Sequence, residues 1–255
     1  MIAFLSDLHS NLEALTVALA DLDGRTDLEA VVCLGDVVGY GADPAEVVRL
    51  TRDRCLLSLQ GNHDAALLDD RDALGFNERA LRAIDWTRQA LDPEKEENWE
   101  LWDWLGSLAP AVAFTPRPGA EEVLLVHASP REPLTEYLMP TFPPEHERLL
   151  ANFEAASHRI TFYGHTHHPG WFAEGEPFQR AGEDTVLELR DDVRYLINVG
   201  SVGQPRDGDP RLAYALWDGG TVRWRRLPYD VETAARRIRE AGLPESLADR
   251  LAAGR

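Results

Sequence analysis

The sequence predicts an α/β fold. Short apolar runs alternate with segments of helical period, and the runs repeatedly stop at aspartate, asparagine, histidine or glycine. Strands separated by helices make βαβ units and a mainly parallel sheet. Polar residues at the strand ends then occupy loops that can converge in space.

Each element follows from its own residues. Ile2 to Ser6 reads as a buried strand, and Asn11 to Leu22 as a helix with Leu12, Leu15, Ala18, Leu19 and Leu22 on one face. Ala30 to Leu34 is a second strand, ending at Gly35-Asp36. Pro44 to Arg52 follows as a helix, with Asp43 at its N-cap and proline in the first helical position. Leu56 to Leu59 is a third strand, closed by Gly61-Asn62-His63-Asp64. Phe76 to Leu91 and Pro93 to Leu105 form a helical segment with Trp86, Trp99, Trp102 and Trp104. Their spacing suits a packing face better than a ligand platform.

Beyond Pro110 the pattern turns strand-like, at Ala111 to Thr115 and Glu122 to His127. A proline-rich stretch from Pro130 to Pro144 leads into a helix from about Glu145 to Ala156. Further strands are expected at Ile160 to Tyr163, Gly170 to Ala173, Thr185 to Leu189, Tyr195 to Val199, Ala213 to Trp217 and Thr221 to Pro228. The tail from Val231 is helical, with Arg236, Arg237 and Arg239 on an exposed face. No repeat or linker divides the chain, so residues 1–255 read as one domain, with 72–108 as a helical insertion or cap.

Composition narrows the function. With 44% hydrophobic and 27% charged residues, the 255-residue chain is ordinary for a globular protein. The net charge of -18 is not ordinary, and it argues against a groove for extended nucleic acid. A phosphate-bearing substrate would have to be held locally, by cations and a few arginines. Lys95 is the only lysine, a bias that suits a GC-rich genome. Cys33 and Cys55 lie in apolar runs without metal-type spacing and read as reduced, buried thiols. No apolar run approaches the ~20 residues that span a bilayer. A cleaved leader would remove the motif at Asp7, so the expectation is a cytoplasmic protein without membrane contact.

Five motifs carry the chemistry. In Asp7-x-His9, side chains at i and i+2 point to one side of an extended chain, so a carboxylate and an imidazole can serve one metal. Asp36 ends a buried strand, where a carboxylate needs a cation or a helix to cap, and where it can bridge two metals. In Gly61-Asn62-His63-Asp64, the Asn62 amide oxygen can ligate and His63 can face the substrate. Asp64 can orient His63 and raise its basicity. The alternative for this tetrapeptide is an Asx-type turn capping a helix. His127 closes Val123-Leu124-Leu125-Val126. Gly164-His165-Thr166-His167 closes another strand, and its two rings could serve one metal each. His168, before Pro169, should point away, and His146 and His158 read as surface or packing residues.

Together these motifs resemble the five-part signature of calcineurin-like metallophosphoesterases, in order and in spacing. Ser6 to Asn11, Gly35 to Gly41 and Asn198 to Arg206 further resemble the small bacterial and archaeal phosphodiesterase branch. The resemblance implies a four-layer αββα sandwich with two mixed sheets and a dinuclear centre. Asp7, His9, Asp36 and His167 would hold one metal, and Asp36, Asn62, His127 and His165 the other, with Asp36 as the bridge. It also implies two divalent ions, Mn²⁺ first and Fe, Zn, Ni or Co as other candidates. A hydroxide shared by the two metals would attack a small phosphodiester. Protonated His63 would stabilise the phosphoryl oxygens or protonate the leaving group. Asn11, Arg131 and Arg206 are the candidate phosphate contacts.

Ala128 stands where relatives often have glycine, and Val199 where many have proline, but neither replaces a ligand. Some members of the small branch carry cysteine in place of His63, so the histidine favours a diesterase. The position of 72–108 just after His63 suggests a roof over the site. Rival readings are a dinucleoside tetraphosphatase or a protein phosphatase of the same superfamily, and a scaffold such as the retromer subunit of this fold. Asp64 in place of the glutamate common in the first two weighs against them. The complete ligand set weighs against the third.

Overall fold

A computed structural model describes residues 1–255. The strands are β1 (Ile2–Leu5), β2 (Ala30–Cys33), β3 (Leu57–Ser58), β4 (Ala111–Phe114), β5 (Val123–Val126) and β6 (Ile160–Tyr163), then β7 (Gly170–Ala173), β8 (Gln179–Arg180), β9 (Val186–Glu188), β10 (Tyr195–Asn198), β11 (Leu212–Trp217) and β12 (Thr221–Leu227). The helices are α1 (Leu12–Asp23), α2 (Pro44–Arg54), α3 (Asn62–Leu68), α4 (Glu78–Ala90), α5 (Trp99–Gly106), α6 (Glu147–Ala155), α7 (Val231–Glu240) and α8 (Glu245–Ala253).

Two six-stranded sheets form, ordered β3-β2-β1-β11-β12-β9 and β4-β5-β6-β10-β7-β8. Both are mixed, which corrects the mainly parallel sheet expected from alternation alone. Only the β1–β2, β2–β3, β5–β6 and β6–β10 pairings are parallel. From β7 onward the strands follow one another through loops, without crossover helices, and apart from β6–β10 they pair antiparallel.

Period-two burial stacks the layers. Ile2 and Phe4 of β1 meet Ile160 and Phe162 of β6 in a core between the sheets, where the Phe4 and Phe162 rings stack with centroids 4.2 Å apart. Ala3 and Leu5, on the opposite face of β1, join a second core with Leu15 and Leu19 of α1, Val47 and Val48 of α2, and Leu101 and Leu105 of α5. The outer face of the second sheet buries Val126, Tyr163 and Leu196 against Leu149 and Phe153 of α6. The result is an αββα sandwich, as the resemblance implied.

Several helical boundaries differ from the sequence reading. Asn62–Leu68 is a helix, so the Asn62-His63-Asp64 motif is its first turn. The segment after Pro93 begins with a 3-10 turn, Glu96–Asn98, and only Trp99–Gly106 is α-helical. The tail breaks at Gly242, in left-handed backbone with a φ of 71°, so α7 and α8 pack as a pair. Trp102 and Trp104 pack on the core beneath the first sheet, Trp86 packs against the tail helices, and Trp99 is 54% exposed. The tryptophans therefore do not form a roof over the site. From this segment it is Phe76 that reaches the site, with its ring 4.7 Å from that of His63.

Candidate active site

The strand-end loops meet along one edge of the sandwich. The loop after β1 zips to the loop after β2: Asp7 N–H donates to the Gly35 carbonyl at 3.0 Å, His9 N–H to Asp36 at 2.9 Å, and Ser10 N–H to Val37 at 3.0 Å. This docking forces an uncommon backbone. Asp7, His9, Ser10, Asp36, Tyr40, His165 and His167 all have left-handed φ angles between 48° and 65°. Asp184 is the one other non-glycine residue with positive φ. Each such residue costs about 1–3 kcal/mol and persists only where its surroundings over-determine it. Here the strain is concentrated on the residues that carry the polar atoms.

Those atoms converge inside the protein. Asp7, His9 and His167 bring ligand atoms within 4.8 Å of one another, and so do Asp36, His127 and His165. All six are buried. Asp36 Oδ2 lies between the two groups, 3.6 Å from His9 Nε2 and 3.5 Å from His127 Nε2. Asn62 Oδ1 is 3.1 Å from His127 Nε2. Backbone amides hold the carboxylates in place: His165 N–H donates to Asp7, and His63 N–H to Asp36 Oδ1 at 2.8 Å.

The hydrogen bonds also fix the ring tautomers. A carbonyl can only accept, so Nδ1–H of His9 donates to Val38 at 3.2 Å, that of His127 to Leu34 at 2.9 Å, and that of His167 to Gln204. The Nε2 atoms of these three rings are left aimed at the cluster, each with a lone pair where the ring is neutral. His165 is reversed: its Nε2 meets the Thr135 carbonyl at 3.3 Å, so Nδ1 is its inward atom. In the neutral rings, the facing Nε2 atoms of His9 and His167, 3.2 Å apart, have no proton between them. Buried carboxylates and imidazole lone pairs aimed at one space form a donor set that fits divalent cations.

Charge adjusts accordingly. Burial raises the Asp36 carboxyl, but His127 and His63 outweigh it and hold the group well below the ordinary carboxylate range. Asp7 is likewise depressed, with His167 overcoming burial. His127 is pushed up to about 9, because the Asp36 carboxylate outweighs burial. Burial and the neighbouring His127 push His165 down to about 3.

His63 sits beside the cluster, its ring 5.0 Å from His9, 4.3 Å from Tyr40 and 4.7 Å from Phe76. Its Nδ1 is buried without a partner. Gly39, with a φ of 89°, makes room for the ring, since a Cβ there would strike His63 Nδ1. Burial, only partly offset by Asp36, acts with the Arg206 charge to push His63 down to about 4, away from the protonated imidazole expected.

Three further expectations change. Asp64 does not orient His63. Its oxygens accept from the amides of Gly61 at 2.9 Å, Val38 at 3.1 Å and Val37 at 3.3 Å. It caps α3 and ties that helix to the Asp36 loop, so the helix-capping alternative holds for this residue. Asn11 caps α1, with Oδ1 accepting from Ala14 and Nδ2 donating to the Gly203 carbonyl, and both ends of its amide are engaged. Arg131 pairs with Glu136, which also accepts from Ser129 and Asn152. That network staples the proline-rich loop. Arg206 does face the cluster: it lies over the Tyr40 ring at 5.7 Å, and its charge lowers both His63 and His167.

Other residues at the site were not singled out in the sequence. Asn198 donates to the Gly164 carbonyl at 2.6 Å and to Thr166 Oγ1 at 2.9 Å, holding the turn that carries His165 and His167. Tyr40 packs on His9 and His63, and Tyr137 on His165 at 4.0 Å. Asn198 and Tyr40 lie inside motifs already quoted for the resemblance, whereas Tyr137, within a proline-rich loop, carries no signal. His168 turns to the Thr166 carbonyl, away from the ligand groups.

The family model for the calcineurin-like phosphoesterase superfamily domain matches residues 1–221. The chain belongs to that superfamily. It is a phosphoric ester hydrolase by this membership, and its His/Asp groups could hold metal. An uncharacterized protein of Methanocaldococcus jannaschii is 38% identical over 258 residues, covering 100% of this chain and 98% of its own. A metallophosphoesterase of Sphaerobacter thermophilus is 37% identical, with a TM-score of 0.81, and the match covers 100% of this chain and 98% of that one. A hypothetical protein of Pyrococcus horikoshii shares the fold at 20% identity, with a TM-score of 0.76 and 98% of each chain covered. No helix of this superfamily member is long and apolar enough to cross a membrane.

Proposed function

We propose that the chain is a two-metal phosphodiesterase of small substrates, with Mn²⁺ as the first candidate ion. The observation that carries this reading is the place of Asp36 Oδ2 between two buried ligand groups. Asp7, His9, Asp36 and His167 would hold one cation, and Asp36, Asn62, His127 and His165 the other. When bound, two such cations supply Lewis-acid charge and lower the pKa of water to the neutral range.

The chain's own residues do the remaining work. Carbonyls on the outer ring nitrogens fix each histidine in the tautomer that presents its lone pair. His63, neutral and in contact with the His9 ring, offers one N–H to a phosphoryl or leaving oxygen. Arg206 places positive charge over Tyr40, where it orients a phosphate against the overall charge of -18. The same acidic surface supports a small substrate over extended nucleic acid. The free thiols of Cys33 and Cys55 support a reducing cytoplasm as the working compartment.

The test is a panel of cyclic nucleotides, linear diesters, monoesters and dinucleoside polyphosphates, assayed with Mn²⁺. Diesters should give the highest kcat/KM. A clear preference for monoesters would overturn the diesterase reading.

A further inference from the structure

Most arginines of this acidic chain hold a carboxylate, as Arg88, Arg159, Arg211 and Arg226 do. Arg79, Arg206 and Arg250 hold no side-chain carboxylate. Arg206 shares its guanidinium with the Gln204 side-chain oxygen, and Arg250 donates Nε–H to the main-chain carboxyl oxygen of Arg255, the last residue, at 2.5 Å. Both lie over the Tyr40 ring, with Cζ 5.7 and 5.8 Å from its centroid. Arg206 and Arg250 are half-buried and Arg79 is exposed. Burial and the charges of Arg206 and Arg79 push Arg250 down to about 10, so it keeps its charge at neutral pH and repels its neighbours. Three like charges with only that one carboxyl group against them keep an excess of positive charge, which an anion would offset.

The packing places this cluster deliberately. Tyr40 shares one apolar core with Ala80 and Ala83 of α4, Ala234 and Ile238 of α7, and Leu247 and Leu251 of α8. Arg79 precedes Ala80 on α4 and Arg250 precedes Leu251 on α8, so both arginines belong to helices that close on this core, and the Arg79 charge is felt at Arg250. The other contacts of Tyr40 are the His9 ring at 4.7 Å and the His63 ring at 4.3 Å. The arginines therefore stand one aromatic ring further out than the ligand cluster. Arg250 lies beyond residue 221, outside the segment that matches the family model.

We propose that Arg79, Arg206 and Arg250 form an anion subsite that receives a second ionised phosphate of the substrate, beside the phosphate being cleaved. The substrate class is then a phosphodiester or phosphoanhydride carrying an additional terminal phosphate. This rests on the diesterase reading for the reaction, but not for the binding.

The test compares thymidine 5′-(p-nitrophenyl phosphate) with its 3′-phosphorylated form on the Mn²⁺-loaded full chain. Calorimetric titrations with thymidine 3′,5′-bisphosphate and thymidine 5′-monophosphate run in parallel. The 3′-phosphate should lower KM, and tighten binding, by about tenfold or more. Arg250→Met and Arg79→Met should each remove most of that preference, Arg250→Lys should retain part of it, and Arg223→Met on β12 should leave it intact. Equal KM values for the two esters, together with equal binding of the two nucleotides, would overturn the subsite and leave the diesterase standing. Arginine-dependent binding of the bisphosphate with neither ester hydrolysed would keep the subsite and overturn the diesterase.

Discussion

The ligand cluster and the arginine rim are built in opposite ways. In the cluster, the outer nitrogens of His9, His127, His165 and His167 face carbonyls, and both aspartates accept backbone amides. On the rim, Arg206 and Arg250 lie over one tyrosine ring, and with Arg79 they hold no side-chain carboxylate, in a chain that has 44 acidic side chains. The cluster is preorganised for cations, with its geometry enforced by strained backbone. The rim is held by apolar packing and leaves its charge open. One region therefore fixes the chemistry, and the other selects what is brought to it.

The largest effect should come from the shared carboxylate. Asp36→Ala should remove hydrolysis to background and lower metal content, read by elemental analysis of the purified chain. Full activity with unchanged metal would separate Asp36 from the centre. Next, His63→Ala should keep the metal and lower kcat by roughly 10²–10⁴-fold, the share of a general acid or a phosphoryl donor. Loss of metal in this variant would move His63 into the cluster and erase the division between the two regions.

Smaller effects should separate the arginines. Arg206→Ala should raise KM by about tenfold, because it removes a charged contact to phosphate. Arg131→Ala, which breaks an ion pair with Glu136 in a loop, should leave KM within about twofold. Equal effects from both would show that distance from Tyr40 does not matter.

The smallest effect is on stability in the metal-free chain. Unfolding lets His63 and His165, held at about 4 and about 3, take up protons below the ordinary value of 6.5. The unfolded state then binds more protons, so stability falls as pH drops through that window. His127, held at about 9, favours the folded state fully below 6.5, and its contribution is lost as pH rises towards 9. Tm should therefore peak near neutral pH and fall on both sides. A flat profile would contradict the buried histidine environments.

Much of this was legible in the sequence. The strands ending at Asp7, Asp36, His127 and His165 follow from apolar runs stopped by polar residues, and the loops do bring those side chains together. The residues that departed share a cause. Asn11, Asp64 and Arg131 have the right chemistry for a site, but they are engaged by Gly203 and Val38, far off in the chain, and by Glu136, five residues on. A motif shows what a side chain can do, and the fold decides whether it is free to do it. Helix α3 was hidden because it is seven residues long and begins within a ligand motif. The arginine rim was illegible for the same reason: Arg79, Arg206 and Arg250 lie on three distant segments that meet only around Tyr40.

Metal content measured alongside hydrolysis of bis-p-nitrophenyl phosphate is the most direct test of the two-cation centre. The chain, stripped with a chelator and then dialysed, should show no turnover. Mn²⁺ should restore activity as two ions bind per chain. Hydrolysis that persists in the stripped protein would contradict a centre built on Asp36.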